Sequence, residues 1–287
     1  MPDVTHESTI VIRDIESGSA LRAVETLQKE VWGCADLDVV PLTMLVAGRE
    51  VGATIIGAYD SSALVGFVYG FPACEHSRLT HHSHMLAVRP SYRNHNLAYK
   101  LKLAQRERVL AQGINRITWT FDPLQSLNAY FNFGKLGVIA DTYKINFYGE
   151  ATSSFLHQIG TDRLWVEWLL DSGRVRKRLE GQRSESPLKL ENIQPLVKVS
   201  VEQTPQNNKS PNILKQPQLL IEIPSDINEL QNESPKLAIE WREATRLAFT
   251  DAIAAGYIVE DFYHLCRTNQ PVGSYVLSRH RKVEDIT

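Results

Sequence analysis

The chain has 287 residues, enough for one large domain or two of modest size. Hydrophobic residues make up 43% and charged residues 22%, so the chain can bury a sizeable core. Its 31 Lys and Arg against 33 Asp and Glu give a formal charge of -2, which disfavours a general nucleic-acid-binding protein.

Cysteine content and the terminal sequence indicate the compartment. The three cysteines Cys34, Cys74 and Cys266 are far apart and form no CxxC motif, which disfavours a disulfide scaffold and a zinc ribbon. Residues 1–9 are polar and lack the apolar core of a secretory signal, and no apolar run is long enough to span a bilayer. We therefore expect a soluble cytoplasmic protein that binds neither a membrane nor nucleic acid.

Strands and helices alternate over the first 170 residues. The hydrophobic pattern predicts strands at 9–14, 53–59, 64–71, 80–88, 114–121, 138–147 and 163–170. It predicts helices at 19–32, 41–50, 97–112 and 124–136. This order predicts an α/β (α+β) fold built on a mixed sheet.

The rest of the chain divides by composition. No Phe, Trp or Tyr occurs between 169 and 240, and residues 180–218 are rich in Gln, Asn, Ser, Pro and Lys. We predict a first domain at 1–179, a polar linker or surface excursion at 180–218 with one short strand at 196–201, and a C-terminal region at 219–287. In that last region we predict a helix at 235–255 and a hairpin of strands at 257–265 and 274–279, which pack on the first domain or on a second subunit.

The stretch 79–113 carries the strongest functional signal. A strand leads through a polar loop at 90–96 into a helix whose expected N-cap is Asn96. The first turn of such a helix leaves backbone N–H groups and the positive end of the dipole facing the loop. Arg93 adds a fork of donors, and Arg89 adds positive charge. The sequence therefore predicts a cradle for a pyrophosphate group.

Five of the nine histidines lie between positions 76 and 95. His82 and His84, two residues apart on a predicted strand, are expected to share one face. The ordinary pKa of histidine suits a general base near neutral pH, while hydrogen-bonded core or cleft histidines are an equally open alternative. A metal site is disfavoured, because His81, His82 and His84 cannot all face one way and no carboxylate or Cys stands at ligand spacing.

The run VRPSYRNHNLA at 88–98 resembles the acyl-CoA motif of the Gcn5-related N-acetyltransferases (GNAT), R/Q-x-x-G-x-G/A after V-x-P-x-x-R. Arg93 and Ala98 match that motif, whereas Asn96 stands in place of its first glycine, and asparagine tolerates left-handed backbone angles. The resemblance implies a mostly antiparallel central sheet flanked by helices, with a C-terminal extension. It also implies acetyl-CoA or succinyl-CoA as acyl donor and a small-molecule amine as acceptor.

Apart from the linker, the whole chain resembles a bacterial branch of predicted acyltransferases in that superfamily, through EVWG at 30–33, SHML at 83–86 and NAYFN at 128–132. The resemblance implies that His84 and His82 carry protons, as the strand histidines do in serotonin N-acetyltransferases. It implies that coenzyme A is held by Leu86, Ala87, Val88, Arg93, Asn94, His95, Asn96, Leu97, Ala98, Tyr99 and Asn128.

Two further candidates follow the next strand. Asp122 is predicted either to bind the amine or orient a histidine, or only to cap the helix that follows. In that helix the family has a proton-donating tyrosine where this chain has Phe133, so Tyr130, one turn earlier, or water is the candidate acid. Asn128 and Asn132 are expected to share a helix face.

The sequence thus favours an acyl-CoA-dependent N-acyltransferase in which the amine attacks the thioester directly. Two alternatives stay open. Asn96 and Phe133, both off the family pattern, suit a non-catalytic acyl-CoA-binding or regulatory module. The second alternative is a structural protein with the same fold, in which Trp241 on an Ala-rich helix face forms the interface of a homodimer.

Overall fold

The computed structural model describes residues 10–149, 159–182, 190, 192–267 and 269–279. The described chain falls into two compact units, which meet in sequence between Thr118 and Trp119. The first unit holds residues 10–118, and the second holds the described residues from 119 onward.

The first unit is an antiparallel meander with three helices. Its helices are α1 (Gly18–Trp32), α2 (Leu42–Glu50) and α3 (Leu97–Ala111). Neighbouring strands pair in chain order: β1 (Val11–Asp14), β2 (Thr54–Asp60), β3 (Ala63–Glu75) and β4 (Arg78–Val88). Strand β5 (Arg116–Phe121) begins in this unit, where Ile117 and Thr118 pair in parallel with β4, and its last three residues belong to the second unit.

The two faces of this meander bury separate cores. On one face, Leu21, Val24 and Leu27 of α1 pack in a cluster with Phe67 of β3. On the other face, the apolar side of α3 packs against β2 and β3. Helix α1 begins where the Ser17 hydroxyl accepts from Ala20 N at 3.2 Å, and it ends at the left-handed Gly33, with φ 64.

The second unit also centres on a sheet. Its strands are β6 (Ile139–Lys144), β7 (Arg163–Leu169), β8 (Pro195–Val199), β9 (Pro205–Asn207), β10 (Gln218–Pro224), β11 (Tyr257–Arg267) and β12 (Gln270–Arg279). They lie in the order β7-β6-β11-β12-β10-β8-β9. Its helices are α4 (Ser126–Ala129), α5 (Gly173–Leu179), α6 (Ile227–Glu233) and α7 (Pro235–Ala254).

The segment 180–218 and the C-terminal helix contribute to this second unit. Strand β8 matches the short strand predicted within the polar segment, whereas β10 and α6 were not predicted. Helix α7 packs against β6, β8, β9, β10 and β11. Trp241 is fully buried there and donates from Nε1 to the Gln203 carbonyl at 2.8 Å, so this indole does not lie on an exposed face.

The predicted fold class is confirmed as α+β. The described residues form twelve strands and seven α-helices, and the strands pair mostly antiparallel, with parallel pairing of β4 with β5 and of β8 with β10. Within the described ranges no single helix is long and apolar enough to cross a membrane. The bent pair Gly18–Trp32 and Asp36–Glu50 meets that criterion jointly by length and composition alone.

Candidate functional site

Strand β4 carries the two predicted histidines and a β-bulge. Its pairing with β3 runs from Arg78 opposite Glu75 to Ser83 opposite Gly70, and resumes with Met85 opposite Tyr69. His84 is therefore an extra residue on β4, and such a bulge re-aims the side chain that it carries. The His82 and His84 ring centroids are 6.4 Å apart, so both imidazoles lie on the same side of the strand, as predicted.

The two imidazoles lie among aromatic rings. The Phe71 centroid is 5.7 Å from that of His82 and 6.0 Å from that of His84, and Tyr69 lies 6.3 Å from His84. Burial, followed by the neighbouring His84, lowers the pKa of His82 to about 4. Surrounding protein atoms also lower the pKa of His84, although its side chain keeps contact with solvent. Both rings are therefore neutral at pH 7 and can accept a proton.

A polar chain runs from His82 to a carboxylate. The His82 Nδ1 atom is 3.1 Å from Thr118 Oγ1, and the Thr118 hydroxyl donates to Glu75 Oε1 at 2.6 Å. The Thr80 hydroxyl also donates to Glu75 Oε1, at 3.1 Å. The sequence indicated neither Glu75 nor Thr118 as part of a site.

A second polar network lies on the opposite side of β4. His81 Nε2 is 3.0 Å from Thr54 Oγ1, and Gln105 Nε2 donates to the same oxygen at 3.1 Å. The Ser83 hydroxyl donates to Gln105 Oε1 at 2.8 Å and accepts from Lys102 Nζ at 2.9 Å. Burial lowers the pKa of Lys102 well below its usual value.

Gly70 makes room for this network. A Cβ atom at this position would lie 2.6 Å from His81 Nε2, 2.7 Å from the His82 carbonyl and 2.8 Å from Gln105 Nε2. These approaches are closer than van der Waals contact allows, and one of them is to main chain. The pairing of β3 with β4 at Gly70, opposite Ser83, therefore requires a residue without a side chain.

The buried histidines make the free energy of unfolding depend on pH. His81 is fully buried, and burial, Lys102 and His82 together lower its pKa to about 4. Between about pH 6.5 and pH 4 the unfolded chain binds protons that the folded chain does not, so stability falls as the pH falls through this window. A folded pKa of about 4 against 6.5 corresponds to about 3 kcal/mol for His81 alone.

We expect the urea midpoint to fall steadily from about pH 6.5 to pH 4, and the His81→Leu variant to show a shallower fall. Equilibrium unfolding followed by tryptophan fluorescence measures both. A midpoint that stays constant across this window in the unmodified chain would contradict the neutral, buried state of His81.

The turn between β4 and α3 has the predicted left-handed residue. A 3-10 turn (Pro90–His95) leads to Asn96, which has φ 57 and ψ 23. The prediction of a side-chain cap at Asn96 is wrong, because its side chain makes no capping hydrogen bond. A capping residue has an extended backbone, whereas the backbone of Asn96 is left-handed. The first-turn N–H groups of α3 thus lack that cap, and the side chains of Arg93 and His95 are exposed beside them.

Two contacts hold this turn in place. The Arg89 guanidinium binds the Glu30 carboxylate of α1, with Nε to Oε2 at 2.9 Å, so its charge is offset rather than added to the loop as expected. The Tyr92 hydroxyl donates to Asp60 Oδ2 at 2.7 Å. Arg93 has an exposed side chain just before α3, and no ion pair involves it among the described residues.

Strand β4 also has a partly unpaired edge. Within the described chain it pairs with β5 only at His81 and His82, whereas its other edge stays paired with β3 to Val88. Main-chain groups of residues 86–88 on the β5 side therefore have no strand partner there. Such an edge can bind an extended amide-containing ligand by main-chain hydrogen bonds, and the start of α3 can bind an anion.

Asp122 lies in the second unit, and both of its carboxylate oxygens are engaged there. Oδ1 accepts from Leu124 N at 2.9 Å, and Oδ2 binds Arg242 Nη2 at 2.6 Å. Burial acts to lower the pKa of Arg242, but the adjacent Asp122 carboxylate outweighs it and raises that pKa. Of the two interpretations of Asp122, these contacts favour the local structural one.

The segment predicted as one helix at 124–136 changes its winding. Helix α4 continues as a π-helix (Tyr130–Leu136), a form that often occurs at functional sites. The two asparagines expected to share a face differ in burial: Asn128 is exposed, whereas Asn132 is buried and accepts from Trp119 Nε1 at 3.3 Å. Phe133 is fully buried, and Tyr130 is half-buried with its ring 5.0 Å from that of His264.

No group of three or more His, Cys, Asp and Glu in the described ranges is arranged to hold a metal ion. Lys102 and Gln105 are polar residues that the sequence interpretation missed. The helical spacing offered a signal for them, because they lie on the buried side of α3 with Leu97, Leu101 and Val109.

No family model matches the chain, and no curated protein matches it by sequence. Solved structures of GNAT acetyltransferases are similar to about half of it. An acetyltransferase of the GNAT family from Streptococcus pneumoniae is 14% identical with a TM-score of 0.45, and 55% of this chain covers 98% of that one. The ribosomal-protein-S18-alanine N-acetyltransferase from Escherichia coli is 11% identical with a TM-score of 0.45, at 62% and 98% coverage.

A third similar structure is the PaiA N-acetyltransferase from Thermoplasma acidophilum, solved in complex with coenzyme A. It is 16% identical with a TM-score of 0.40, and 55% of this chain covers 98% of it. A structural likeness at such identities concerns the fold only, so the function of this chain has to be inferred from its own residues.

Proposed function

We propose that the chain is an acyl-CoA-dependent N-acyltransferase that moves an acetyl or succinyl group to a small-molecule amine. One observation carries the proposal. Within residues 10–118, strand β4 holds two neutral imidazoles and then leads, through a left-handed turn, into the N-terminus of α3, which lacks an Asn96 cap. These features support a proton acceptor and an anion cradle on one continuous piece of chain.

The donor would be held by main-chain groups and one guanidinium. The N–H groups at the start of α3 and the Arg93 side chain suit the pyrophosphate of coenzyme A, since both present donors to phosphate oxygens. The unpaired edge of β4 at residues 86–88 suits the amide groups of the pantetheine arm. The resemblance adds Asn94 and Asn128 as further contacts.

The histidines would serve the acceptor. An alkylamine is protonated at neutral pH, and its nitrogen has no lone pair to donate until a base removes a proton. His84 or His82 would take that proton, and the amine nitrogen would form the C–N bond at the thioester carbonyl. The C–S bond then breaks, the nitrogen loses a second proton, and the sulfur gains one. The products are an amide and a free thiol, with no covalent bond to the enzyme.

The leaving thiolate needs a proton donor, and Phe133 cannot be that donor. A phenyl ring has no dissociable hydrogen, and Phe133 is packed at 6.3 Å from Phe121 and 5.8 Å from Tyr275, measured between ring centroids. We propose Tyr130 or a water molecule as the donor. Asp122, whose carboxylate is held by Arg242, is not needed as a proton carrier in this scheme.

Asn96 and Phe133 support a second candidate, an acyl-CoA-binding module without turnover. Asn96 places a side chain where a glycine would leave the phosphate oxygens free access, and Phe133 removes the usual acid. This candidate predicts binding of coenzyme A with no transfer to any amine in a broad panel.

A thermal-shift measurement with coenzyme A, acetyl-CoA and succinyl-CoA tests the proposal, with ATP and NAD as controls. A ligand present at about 100 times its Kd stabilises the folded state by about 2.7 kcal/mol, which gives a clear rise in Tm. We expect the rise with the coenzyme A species alone, and release of free thiol when the correct amine is added. A Tm that none of them changes would overturn both candidates.

Replacing Asn96 with glycine should tighten coenzyme A binding several-fold. The left-handed backbone at this position suits glycine, and no capping hydrogen bond is lost. Isothermal titration of the Asn96→Gly variant against the unmodified chain measures the change. A weaker affinity in the glycine variant would show that the Asn96 side chain contributes to binding instead of obstructing it.

A further inference from the structure

We infer that Glu75 is a positioning residue for His82: acting through the Thr118 hydroxyl, it fixes the imidazole with its hydrogen on Nδ1 and its lone pair on Nε2. As a contribution to catalysis, this role rests on the proposed function. Three elements supply the parts, since Glu75 ends β3, His82 lies on β4 and Thr118 lies on β5.

The direction of the hydrogen bonds follows from counting hydrogens. Thr118 has one hydroxyl hydrogen, and its oxygen lies 2.6 Å from Glu75 Oε1, the short distance typical of a hydroxyl donating to a carboxylate. That hydrogen is therefore not available to the imidazole. The contact of 3.1 Å between Thr118 Oγ1 and His82 Nδ1 must then be a hydrogen bond donated by the ring.

The carboxylate is itself held in place. Thr80 donates to the same Oε1 atom at 3.1 Å, from the position on β4 that shares a strand face with His82. Glu75 is partly buried at the last pair of the β3–β4 hairpin, opposite Arg78. Two hydroxyl groups thus donate to Glu75 Oε1 and hold it in place. Through Thr118, this carboxylate oxygen fixes the orientation of the His82 ring.

The charges around His82 give Glu75 a second effect. Burial lowers the pKa of His82, and His84 on the same side of β4 and Lys102 on the other side lower it further. Glu75 on β3 acts in the opposite direction and raises it. The carboxylate therefore partly offsets the factors that make this imidazole a weak base, and it stabilises the imidazolium that forms when the ring accepts a proton.

Three variants separate these effects. Thr118→Val removes the hydroxyl while keeping the shape of a fully buried β-branched side chain, and Thr118→Ser restores the hydroxyl. Glu75→Gln keeps an oxygen that can accept from Thr118 but removes the charge. We expect Thr118→Val to lose the Nδ1–H tautomer, and Glu75→Gln to keep the tautomer with a lower His82 pKa.

Nitrogen-15 spectra of the histidine rings, recorded over a pH series on the full chain, show tautomer and titration without any substrate. They therefore test the positioning of His82 even where the proposed function fails. If the wild-type spectrum shows His82 with its hydrogen on Nε2, or if Thr118→Val leaves the tautomer unchanged, the inference is overturned. If Thr118→Val does not fold, an unchanged His82 titration in Glu75→Gln overturns it.

Kinetics supply the second readout. We expect Thr118→Val and Glu75→Gln to lower kcat by about 10–100-fold, a part of what a general base contributes, with KM for the amine little changed. Thr118→Ser should recover most of the rate lost in Thr118→Val. A loss confined to KM, or a rate profile with pH that neither variant displaces, would show that Glu75 only supports the fold.

Discussion

Replacing His82 and His84 together with alanine is expected to lower kcat/KM about 10²–10⁴-fold while the affinity for coenzyme A stays unchanged. The two imidazoles are the neutral bases gathered on one side of β4, and the ring centroids are 6.4 Å apart, so either can take over part of the role of the other. The single variants should therefore each lose less than the double variant. The proposed donor contacts lie at residues 86–99 and at Asn128, and they do not involve either imidazole.

The measurement combines thiol release with isothermal titration of coenzyme A. His76→Asn is the matched control, since His76 is an exposed histidine in the same β3–β4 hairpin and its left-handed backbone, with φ 50, suits asparagine. A double variant that turns over at the wild-type rate across neutral pH would remove both histidines from the mechanism. A parallel loss of coenzyme A affinity would point to a collapsed site instead.

Replacing Asp122 with alanine is expected to lower the free energy of unfolding by about 3–5 kcal/mol. The carboxylate is 8% exposed and binds the Arg242 guanidinium, which is 2% exposed, at 2.6 Å. Removing it leaves a buried cation without its counter-charge and an Asx turn without its acceptor. Urea unfolding of the purified variant measures the loss.

Two further variants make the result specific. In Asp122→Leu with Arg242→Met, both charges are replaced by apolar groups, and most of the lost stability should return. Asp36→Ala removes an exposed ion pair with Lys29 and should leave the urea midpoint where it was. If Asp122→Ala keeps its stability but loses turnover, the carboxylate acts on the substrate, and the structural interpretation is wrong.

The elements around β4 and α3 were predictable because their signals are local. Each signal lies within the segment that it predicts or directly beside it. These signals are the residue pattern of β4, the proline that begins the turn and the helical spacing of α3. The left-handed Asn96 was likewise predictable from its residue type. The missing N-cap hydrogen bond could not be predicted. Asparagine occurs both as an extended capping residue and as a left-handed residue, and only the backbone angle distinguishes the two.

The contacts that complete the site depend on register. Glu75 lies beyond the strand predicted at 64–71, and it meets Thr118 only because the β3–β4 hairpin is long and β5 pairs with β4 at His82. No pattern within either segment fixes such a pairing. The π-helix at 130–136 was invisible for a related reason: one added residue per turn leaves the apolar spacing nearly unchanged over so short a segment.

Composition was a poor guide to the segment before α7. No strand was predicted between the polar segment 180–218 and the helix at 235–255, yet the run LLIEI that begins at Leu219 forms the buried core of β10. A continuous apolar run bounded by prolines is typical of a strand covered on both faces. That local signal was the better one, since aliphatic residues alone can fill a sheet interior.

The extra residue at His84 divides β4 into two stretches of opposite phase. Before it, the odd-numbered Ser83 donates to Gln105 of α3, and His81 contacts Thr54 in the same network. After it, the even-numbered Leu86 and Val88 pack on that side. One strand can thus present a polar network and an apolar core to the same helix while keeping both imidazoles together on its other side. Deleting His84 would remove the bulge and one imidazole, and it would leave every other side chain of β4 on its present face, because Ser83 and Met85 would then alternate as neighbours in a regular strand. Deleting a regularly paired residue of β4 instead, such as Ser83, would exchange the faces of the residues on one side of the deletion.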